Sequence, residues 1–542
     1  MRRRADRLAR DVLGFEGLRP EQRRVVESVL EGRDTLAVMP TGSGKSATYQ
    51  VAGLLLEGPT VVVSPLIALQ KDQADNLRSL NAETDETAAP AVLNSTLSGA
   101  ERESVLAGLE RGEVEYLFLA PEQLANPETL ARLAAAAPSL LVVDEAHCVS
   151  QWGHDFRPDY LTLAAARETI GDPVVLALTA TASPPVRDEI AQRLGMREPR
   201  VIVTGFDRPN ISLAARAFTD EAHRRAALAE AVVAAPKPGI IYAGTRAHAE
   251  EVAAALAEAG VKAAPYHAGL GRAARDETQE SFMGDALEVV VATTAFGMGI
   301  DKPNVRFVHH LELSDSLDSY YQEIGRAGRD GEPAEALLFH TPDDARLRRF
   351  LTGGAGIEEE EAQAVLDALA AHSDACDRND LAEAAGLAPG KLALVLTHLD
   401  DAGAVQQEGD LVRLGEQHAT GEAAAAAADS RERQKEAARS RLSMMLAYAD
   451  TEGCRREYLL NYFGEAYEAP CGNCDNCRSG SVQAGAGDDV PFPLGSQVRH
   501  ASLGEGQVVR YEEGKVVVLF AEGGYQALAL ALVLERGLLD PV

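Results

Sequence analysis

Short runs of apolar and β-branched residues alternate with alanine-rich stretches from residue 35 to residue 345. The runs lie at 60–64, 140–144, 174–178, 239–243, 288–292 and 305–309. Apolar strands separated by helical stretches are typical of βαβ units, in which parallel strands are buried on both faces. The pattern divides into two sets near residues 205–210. It therefore predicts an α/β fold with two parallel-sheet domains and a cleft between them.

The pattern changes after residue 357. The segment 379–387 and a predicted helix at 389–402 precede a predicted β-hairpin at 403–414, which is the order of a winged helix. Residues 422–430 include six consecutive alanines and form either a linker or the start of a helix expected at 431–448. After a Gly/Ser/Ala-rich linker at 479–489, short strands broken at glycines predict a small β-barrel.

Composition adds one unusual feature, the charge. The chain has 542 residues, of which 46% are hydrophobic and 25% charged, a balance that excludes a disordered or fibrous protein. Its 52 basic and 83 acidic residues give a net charge of −31. This charge excludes a uniformly basic nucleic-acid-binding protein, but it is compatible with a local basic groove.

The sequence gives no sign of export or of a membrane partner. No apolar run reaches the roughly 20 residues of a membrane helix. The basic segment 1–7 is not followed by the apolar stretch of a secretory signal. Six cysteines in a chain of 542 residues do not indicate a disulfide scaffold. We therefore expect a cytoplasmic protein.

The first candidate for chemistry is a phosphate-binding loop at 39–46, with the sequence MPTGSGKS. Its glycines let backbone N–H groups point at the β- and γ-phosphates, Lys45 adds a positive charge, and the Ser46 hydroxyl is suited to Mg²⁺. The expected ATP-binding residues of this loop are Thr41, Gly42, Ser43, Gly44, Lys45 and Ser46.

A second candidate follows the apolar run at 140–144, where Asp144 and Glu145 begin the sequence DEAH. ATP hydrolysis requires a carboxylate that binds Mg²⁺, for which Asp144 is suited. It also requires a group that orients and deprotonates the attacking water, for which Glu145 is suited. Acidic residues at a strand end can be simple surface residues, but together with the phosphate-binding loop they indicate an ATPase.

The second predicted α/β domain carries the sequence QEIGRAGRD at 322–330. Arg326 and Arg329 lie three residues apart, so on a helix they share one face and can reach a γ-phosphate across the cleft as arginine fingers. The alternative is a solvated pair of charged residues.

With these motifs the chain resembles the RecQ family of DNA helicases in superfamily 2, over residues 1–350 and 431–477. The resemblance implies two RecA-like domains that use ATP to move 3′ to 5′ along DNA. It also implies that His147 and Gln322 take part in catalysis.

The segment 15–22 is similar to the adenine-recognition motif of the same family. By this resemblance, Phe15 and Arg19 would enclose the base and Gln22 would hydrogen-bond to its edge.

Further segments resemble conserved motifs of RecQ enzymes, at 64–73, 120–124, 179–181, 242–246 and 292–301, and the first two resemble motifs that face DNA. The segment 146–158 is similar to the family's aromatic-rich loop, which couples strand binding to ATP hydrolysis. It contains Trp152, the only tryptophan of the chain, whose ring can stack on a base. The alternative is that Trp152 belongs to the core. Thr245 stands where the family usually has serine and keeps the hydroxyl.

The resemblance implies a set of DNA-binding residues drawn from both domains. They are Ser64, Pro65, Gln151, Trp152, Phe156, Arg157, Thr245, Arg246, His267 and Thr293.

Four of the six cysteines are grouped as Cys454, Cys471, Cys474 and Cys477, a spacing that matches the RecQ zinc module. Four thiolates in one short segment fit a closed tetrahedral Zn²⁺ site. An iron–sulfur cluster is the alternative. The other two cysteines, Cys148 and Cys376, are interpreted as structural residues.

Two features depart from the family pattern. The predicted winged helix precedes the zinc module, whereas it follows that module in standard RecQ enzymes, so its role in separating a duplex does not transfer directly. The segment 495–520 resembles the Tudor-like tail of UvrD/PcrA-type helicases, which implies a protein partner such as RNA polymerase. A barrel that only stabilises the protein is the alternative.

The sequence thus predicts six segments. They are 1–205 and 206–350 (RecA-like domains), 357–415 (winged-helix-like module), 425–480 (zinc module), 481–491 (linker) and 492–542 (SH3/Tudor-like barrel).

The expected function is that of a nucleoid-associated bacterial DNA helicase in repair or recombination, dependent on ATP, Mg²⁺ and Zn²⁺. It would act on single-stranded DNA and on junctions with duplex. The alternatives are an RNA helicase or duplex translocase with the same core, and a DNA-binding regulator without activity.

Overall fold

The computed structural model describes most of the chain. The described residues are 2–65, 67–81, 89–150, 157–297, 302–353, 357–372, 375–408, 411–415, 421–482, 490–512, 514–520 and 524–542. Within them, no helix combines the length and apolar character that a membrane crossing requires.

The first domain is built on a seven-stranded parallel sheet. Its strands are β1 Thr35–Val38, β2 Thr60–Val63, β3 Pro90–Leu93, β4 Tyr116–Leu119, β5 Leu140–Val143, β6 Val174–Thr179 and β7 Arg200–Val203. Their order is β3-β4-β2-β5-β6-β1-β7. The helices are α1 Arg2–Asp11, α2 Pro20–Leu30, α3 Lys45–Gly53, α4 Ile67–Asn81, α5 Gly99–Glu110, α6 Pro127–Ala136, α7 Leu163–Thr169 and α8 Pro184–Arg193. Short 3-10 helices lie at Pro121–Ala125, Ala146–Val149 and Pro158–Thr162.

The second domain is built on a six-stranded parallel sheet. Its strands are β8 Ile211–Ala217, β9 Gly239–Tyr242, β10 Ala263–Tyr266, β11 Val289–Ala292, β12 Phe307–His310 and β13 Ala334–His340. Their order is β10-β11-β9-β12-β13-β8. The helices are α9 Glu221–Ala234, α10 Arg246–Glu258, α11 Arg272–Met283, α12 Leu317–Ile324 and α13 Pro342–Gly353.

The sequence prediction of two parallel sheets is confirmed. All six predicted strands are present, with ends that differ by at most two residues. Strands such as β2 (TVVV) and β5 (LLVV) are buried along their whole length, as expected for strands covered on both faces by helices.

The winged-helix prediction is also confirmed. The module contains α14 Glu359–Ala370, β14 Cys376–Asp377, α15 Arg378–Ala385, α16 Pro389–Asp401, β15 Val405–Glu408 and β16 Leu411–Leu414. Its three strands form an antiparallel sheet in the order β14-β16-β15.

A single long helix, α17 Gly421–Asp450, follows the winged helix. The linker alternative for residues 422–430 is therefore wrong, because alanine is the strongest helix former and this run also has a packing partner. Ala423, Ala424 and Ala427 are buried in the winged-helix core. Further along the same helix, Tyr448 is buried in the core of the two parallel-sheet domains.

The remaining elements form the zinc module and a C-terminal sheet. They are α18 Arg455–Tyr462, α19 Asp475–Arg478, β17 Gln497–His500, β18 Gly504–Glu512, β19 Lys515–Phe520, β20 Gly524–Ala529, α20 Leu530–Arg536 and β21 Leu539–Pro541. The five strands are antiparallel in the order β20-β19-β18-β17-β21 and pack around a separate apolar core.

The zinc module contacts both parallel-sheet domains at the point where the chain passes from one to the other. Phe463 stacks on Phe206 of the connecting segment, with ring centroids 4.6 Å apart, and its carbonyl accepts a hydrogen bond of 2.7 Å from Arg187 of α8. Tyr462 donates a hydrogen bond to Asp318 of α12. Helix α18 therefore bridges the two domains.

The C-terminal sheet packs on this bridge. Tyr525 stacks on Tyr462 at 5.0 Å between ring centroids, and its backbone N–H donates to the Ser440 hydroxyl of α17 at 2.8 Å. The Arg510 guanidinium lies 3.8 Å from the ring centroid of Tyr458. The sheet is thus attached to α17 and α18.

Candidate functional site

The phosphate-binding loop connects β1 to the first turn of α3, which begins at Lys45. Gly42 and Gly44 adopt left-handed backbone conformations, with φ of 76° and 77°. A Cβ atom at Gly44 would lie 2.5 Å from the amide nitrogen of Gln22. Glycine is therefore required there both for the conformation and for the space.

The predicted adenine motif lies directly beside this loop. The amide nitrogen of Gln22 donates to the carbonyls of Ser43 and Gly44 at 2.9 and 3.0 Å, and its oxygen accepts from the backbone N–H of Arg19 at 2.8 Å. Phe15 is half-buried and Arg19 is exposed. The structure thus places Gln22 against the loop, and the contacts of this motif with adenine stay a prediction.

Asp144 and Glu145 follow β5 at the carboxyl edge of the first sheet, next to the phosphate-binding loop. Glu145 has a left-handed backbone (φ 48°), an uncommon conformation for a residue with a side chain, and such strain is often found at active sites. Burial and the neighbouring Glu145 carboxylate raise the pKa of Asp144, while Lys45 opposes the shift. Two adjacent carboxylates in a buried cleft repel each other, so a bound cation would stabilise their charged forms.

A series of polar contacts leads from Glu145 to the second domain. The Nδ1 atom of His147 lies 3.3 Å from Glu145 Oε2 and 3.0 Å from the hydroxyl of Thr179. That hydroxyl donates to the carbonyl of Thr181 at 2.9 Å, so it accepts the proton of His147 Nδ1–H. The Thr181 hydroxyl in turn accepts a hydrogen bond of 3.1 Å from Gln322 of α12.

The two predicted arginine fingers reach the same cleft. A Cβ atom at Gly42 would lie 3.4 Å from Cγ of Arg329, so this side chain packs over the phosphate-binding loop. Arg326 packs against Gly297, and its Nε atom is buried with no hydrogen-bond partner among the described residues. A buried N–H group without a protein acceptor in such a cleft is suited to an anionic ligand.

These groups line one cavity of about 190 Å³ between the two domains. Its lining includes Thr41, Lys45, Ser46, Asp144, Glu145, Gln322, Arg326 and Arg329. The structure therefore brings together the phosphate-binding loop, the DEAH carboxylates and the arginines of the second domain.

The predicted DNA contacts of the first domain follow β2. Ser64 is 2% exposed, so a contact of its hydroxyl with DNA stays a prediction that this placement does not favour. The Pro65 carbonyl accepts a hydrogen bond of 3.1 Å from Arg157. Gln151, Trp152 and Phe156 lie outside the described residues.

The predicted DNA contacts of the second domain follow β9, β10 and β11, which are neighbours in its sheet. Thr245 caps α10, since its hydroxyl accepts the backbone N–H of His248 at 3.1 Å. Arg246 and His267 both approach Gly269, and the backbone N–H of Thr293 donates to the carbonyl of Tyr266. His267 is buried, and its Nε2 atom lies 2.9 Å from Glu250 Oε1.

Thr181 lies in the site, but no role for this residue was predicted from the sequence. The signal was present in the sequence, because residues 179–181 match a helicase motif. What the sequence could not supply is the partner, Gln322, which lies 141 residues away.

The four predicted zinc ligands form a compact cluster, with all their sulfur atoms within 4.8 Å of one another. Four thiolates about 2.3 Å from a zinc ion have sulfur–sulfur edges of about 3.8 Å. The observed distance between Cys471 and Cys477 is 3.9 Å. The donor set and its size therefore fit Zn²⁺. Cys148 and Cys376 are buried and lie outside this cluster.

Helix α16 of the winged helix carries two basic side chains, Lys391 and His398, and both have partners within the protein. Lys391 forms an ion pair of 2.8 Å with Glu361 of α14 and stays partly exposed. His398 is 1% exposed, and its Nδ1 atom lies 3.3 Å from the hydroxyl of Ser430 in α17. These contacts do not favour a role of α16 in reading a DNA groove.

Comparison with protein families gives three matches. The model of DEAD/DEAH box helicases matches residues 19–190, the helicase conserved C-terminal domain matches 224–331, and the RecQ zinc-binding model matches 409–478.

Two solved helicase structures share the fold. They are Mycobacterium smegmatis Lhr bound to ssDNA and AMP-PNP (TM-score 0.51, 20% identity, 81% of this chain and 61% of that one) and the DUF1998 helicase MrfA bound to DNA (TM-score 0.53, 18% identity, 76% and 59%).

Curated relatives are more similar in sequence. The ATP-dependent DNA helicase RecQ of Pasteurella multocida is 36% identical over 86% of this chain, which spans 61% of that protein's length. The RecQ helicase of Bacillus subtilis is 35% identical over 88% of this chain and 67% of its own length. The "Probable ATP-dependent DNA helicase RecS" of the same organism is 35% identical over 86% of this chain and 90% of its own length. With this extent of identity and the four-cysteine zinc module in place, the chain belongs to the RecQ family of helicases.

Proposed function

We propose that this protein is an ATP-dependent DNA helicase that moves 3′ to 5′ along single-stranded DNA and opens junctions during repair or recombination. The observation that carries this proposal is the cavity between the two domains. It combines Lys45, Glu145, Arg326 and Arg329, which are the groups that ATP hydrolysis driven by domain closure requires. Membership of the RecQ family supports DNA as the polymer along which the protein moves.

ATP would be held by the backbone N–H groups of residues 42–46 and by Lys45, whose ammonium otherwise donates to the Met39 carbonyl at 3.3 Å. Ser46 and Asp144 supply the hard oxygen ligands that suit Mg²⁺, which would offset phosphate charge when bound. Glu145 would accept the proton of the attacking water, and the two arginines would stabilise the charge that develops on the γ-phosphate.

The DNA strand would cross the carboxyl edges of both sheets, and its contacts would be the residues that the family resemblance implies. In the first domain these are Ser64, Pro65, Gln151, Trp152, Phe156 and Arg157, and in the second they are Thr245, Arg246, His267 and Thr293. Ligands of open parallel sheets bind at this edge, beyond the carboxyl ends of the strands.

The test measures ATP turnover with no nucleic acid, with single-stranded DNA and with RNA, together with strand displacement on duplexes that carry a 3′ or a 5′ tail. We expect stimulation by DNA and displacement from the 3′ tail. Stronger stimulation by RNA would indicate an RNA helicase, and no turnover at all would indicate a regulator. Lys45→Ala should abolish turnover, whereas Lys515→Ala, which removes an exposed charge from the C-terminal sheet, should not.

We further propose that the C-terminal sheet, residues 492–542, binds a protein such as RNA polymerase, on the strength of its resemblance to Tudor-like tails. Such a protein would work at the nucleoid in the cytoplasm. Retention of purified RNA polymerase by the immobilised full-length chain, but not by a chain that ends at residue 482, would support this partner. Equal retention by both would overturn it.

A further inference from the structure

The segment 151–156, called the aromatic loop below, lies in the sequence between Ser150 and Arg157, and both of these residues are held by hydrogen bonds. The backbone N–H of Arg157 donates to the carbonyl of Cys148 at 2.9 Å, and its guanidinium donates to the Pro65 carbonyl. Neither contact of Arg157 involves α8.

A partly buried carboxylate holds Ser150, the last residue before the loop. Ser150 is 0% exposed, and its hydroxyl donates to Glu189 Oε2 of α8 at 2.5 Å. The other carboxylate oxygen of Glu189 accepts from Arg193 at 2.6 Å, one helical turn further on. Ser150 and Arg193 thus hold the two oxygens of the Glu189 carboxylate, and hydrogen bonds that involve a charged group are short and strong.

The residue held by Glu189 lies at the end of the catalytic segment. The 3-10 helix Ala146–Val149 separates Glu145 from Ser150, so a shift of Ser150 acts on one short, fully buried turn. Within that turn His147 contacts Glu145 and Thr179. Helix α8, which carries Glu189, begins five residues after Thr179. It is therefore connected to the turn in two ways, through Ser150 and through Thr179, the partner of His147.

We propose that Glu189 is a positioning residue that fixes Ser150 and thereby lets the aromatic loop act on Glu145 when DNA binds. The inference rests on the proposed function, because it assumes that the loop reports bound DNA to the ATP site. The carboxylate touches neither nucleotide nor DNA in this role. Its contribution is to prevent Ser150 from moving independently of the 3-10 helix Ala146–Val149.

The experiment compares Glu189→Ala, Ser150→Ala and the double variant with the wild type. Asp188→Ala serves as the matched control, since Asp188 is an exposed carboxylate on the same helix. Turnover without DNA should stay at the wild-type value in all four variants. The DNA-stimulated kcat should fall about tenfold in either single variant, as expected for loss of a hydrogen bond to a charged group, and the double variant should be no worse.

A second readout is the fluorescence of Trp152, which no other tryptophan obscures. Without DNA, quenching by acrylamide should differ from wild type in Glu189→Ala and Ser150→Ala, and should be unchanged in Asp188→Ala. A residue that only stabilised α8 would lower the melting temperature without changing this signal.

The outcomes separate the inference from the proposed function. If DNA stimulates the wild type, and Trp152→Ala abolishes that stimulation, but Glu189→Ala matches the wild type in both readouts, the positioning role is wrong and the helicase proposal stands. Additive losses in the double variant would likewise overturn the pairing of Glu189 with Ser150. If DNA does not stimulate the wild type, the helicase proposal fails and the coupling role fails with it.

Discussion

The side chain of Gln322 donates a hydrogen bond of 3.1 Å to the hydroxyl of Thr181, across the cleft between the two parallel-sheet domains. Thr181 connects through Thr179 and His147 to Glu145, the group suited to deprotonate the attacking water. Gln322 of the second domain is therefore connected to Glu145 by a series of contacts through Thr181, Thr179 and His147.

Removing either end of this link should slow turnover without weakening nucleotide binding. Thr181→Val and Gln322→Met keep the shape of the side chains but remove the hydrogen bond, which is worth about 1 kcal/mol, so we expect a loss of about fivefold in kcat with little change in KM for ATP. The double variant should be no slower than the slower single one. Gln192→Met on α8 is the control for the amide-to-thioether exchange, and additive losses would show that the two residues act separately.

Glu145→Gln should bind ATP but not turn it over. The amide has nearly the shape of the carboxylate but cannot accept a proton from water, so the chemical step loses its base. We expect normal binding of a fluorescent ATP analogue together with at least a hundredfold lower kcat, within the usual range for the loss of a general base, about 10²–10⁴. Loss of binding along with turnover would mean that Glu145 shapes the site and does not act as the base.

Much of the two parallel-sheet domains and of the zinc module could be predicted from the sequence, because the sequence patterns that indicate them are local. The run VVV in β2, the glycines on either side of Ser43, and the spacing of the four cysteines each depend on a few neighbouring residues. Local rules of strand burial, loop conformation and ligand geometry are enough to interpret them.

The rest depends on contacts between distant parts of the chain. Phe463 stacks on Phe206, and its carbonyl accepts a hydrogen bond from Arg187. Both contacts join residues more than 250 positions apart, and the sequence around these residues does not indicate the pairing. The alanine run at 423–428 is ambiguous for the same reason, since a linker and a helix differ there only in whether a partner surface exists.

Zinc should be bound at one equivalent per chain, and Cys474→Ser should lose it. Cys474 is buried and caps α19, which is held to the second domain through Asp475, whose carboxylate accepts from the Ala215 backbone N–H. We therefore expect a lower melting temperature and poor solubility, with ATP binding by the phosphate-binding loop retained. Cys376→Ser, at a buried cysteine outside the cluster, should keep the metal. Elemental analysis that finds iron with visible absorption would contradict the assignment.

The last prediction concerns the pH dependence of the winged helix. Burial lowers the pKa of His398 to about 4, and the nearby Arg431 guanidinium acts in the same direction. The native protein thus keeps this imidazole neutral, whereas the unfolded chain takes up the proton near pH 6.5. Below that pH the unfolded state binds more protons than the native state, so stability must fall as the pH drops from 6.5 towards 4.

Hydrogen exchange in the intact protein can locate this effect. Amide protection of α16 and the first half of α17, which pack together around His398, should decrease over this pH interval after correction for the intrinsic exchange rate. His398→Gln should abolish the dependence, because the glutamine has no proton to take up and its amide can still reach Ser430. His372→Gln, at an exposed histidine in the same module, should leave it unchanged. If amide protection depends on pH equally in the wild type, His398→Gln and His372→Gln, His398 does not stay neutral in the native protein. The burial of His398 between α16 and α17 would then be wrong.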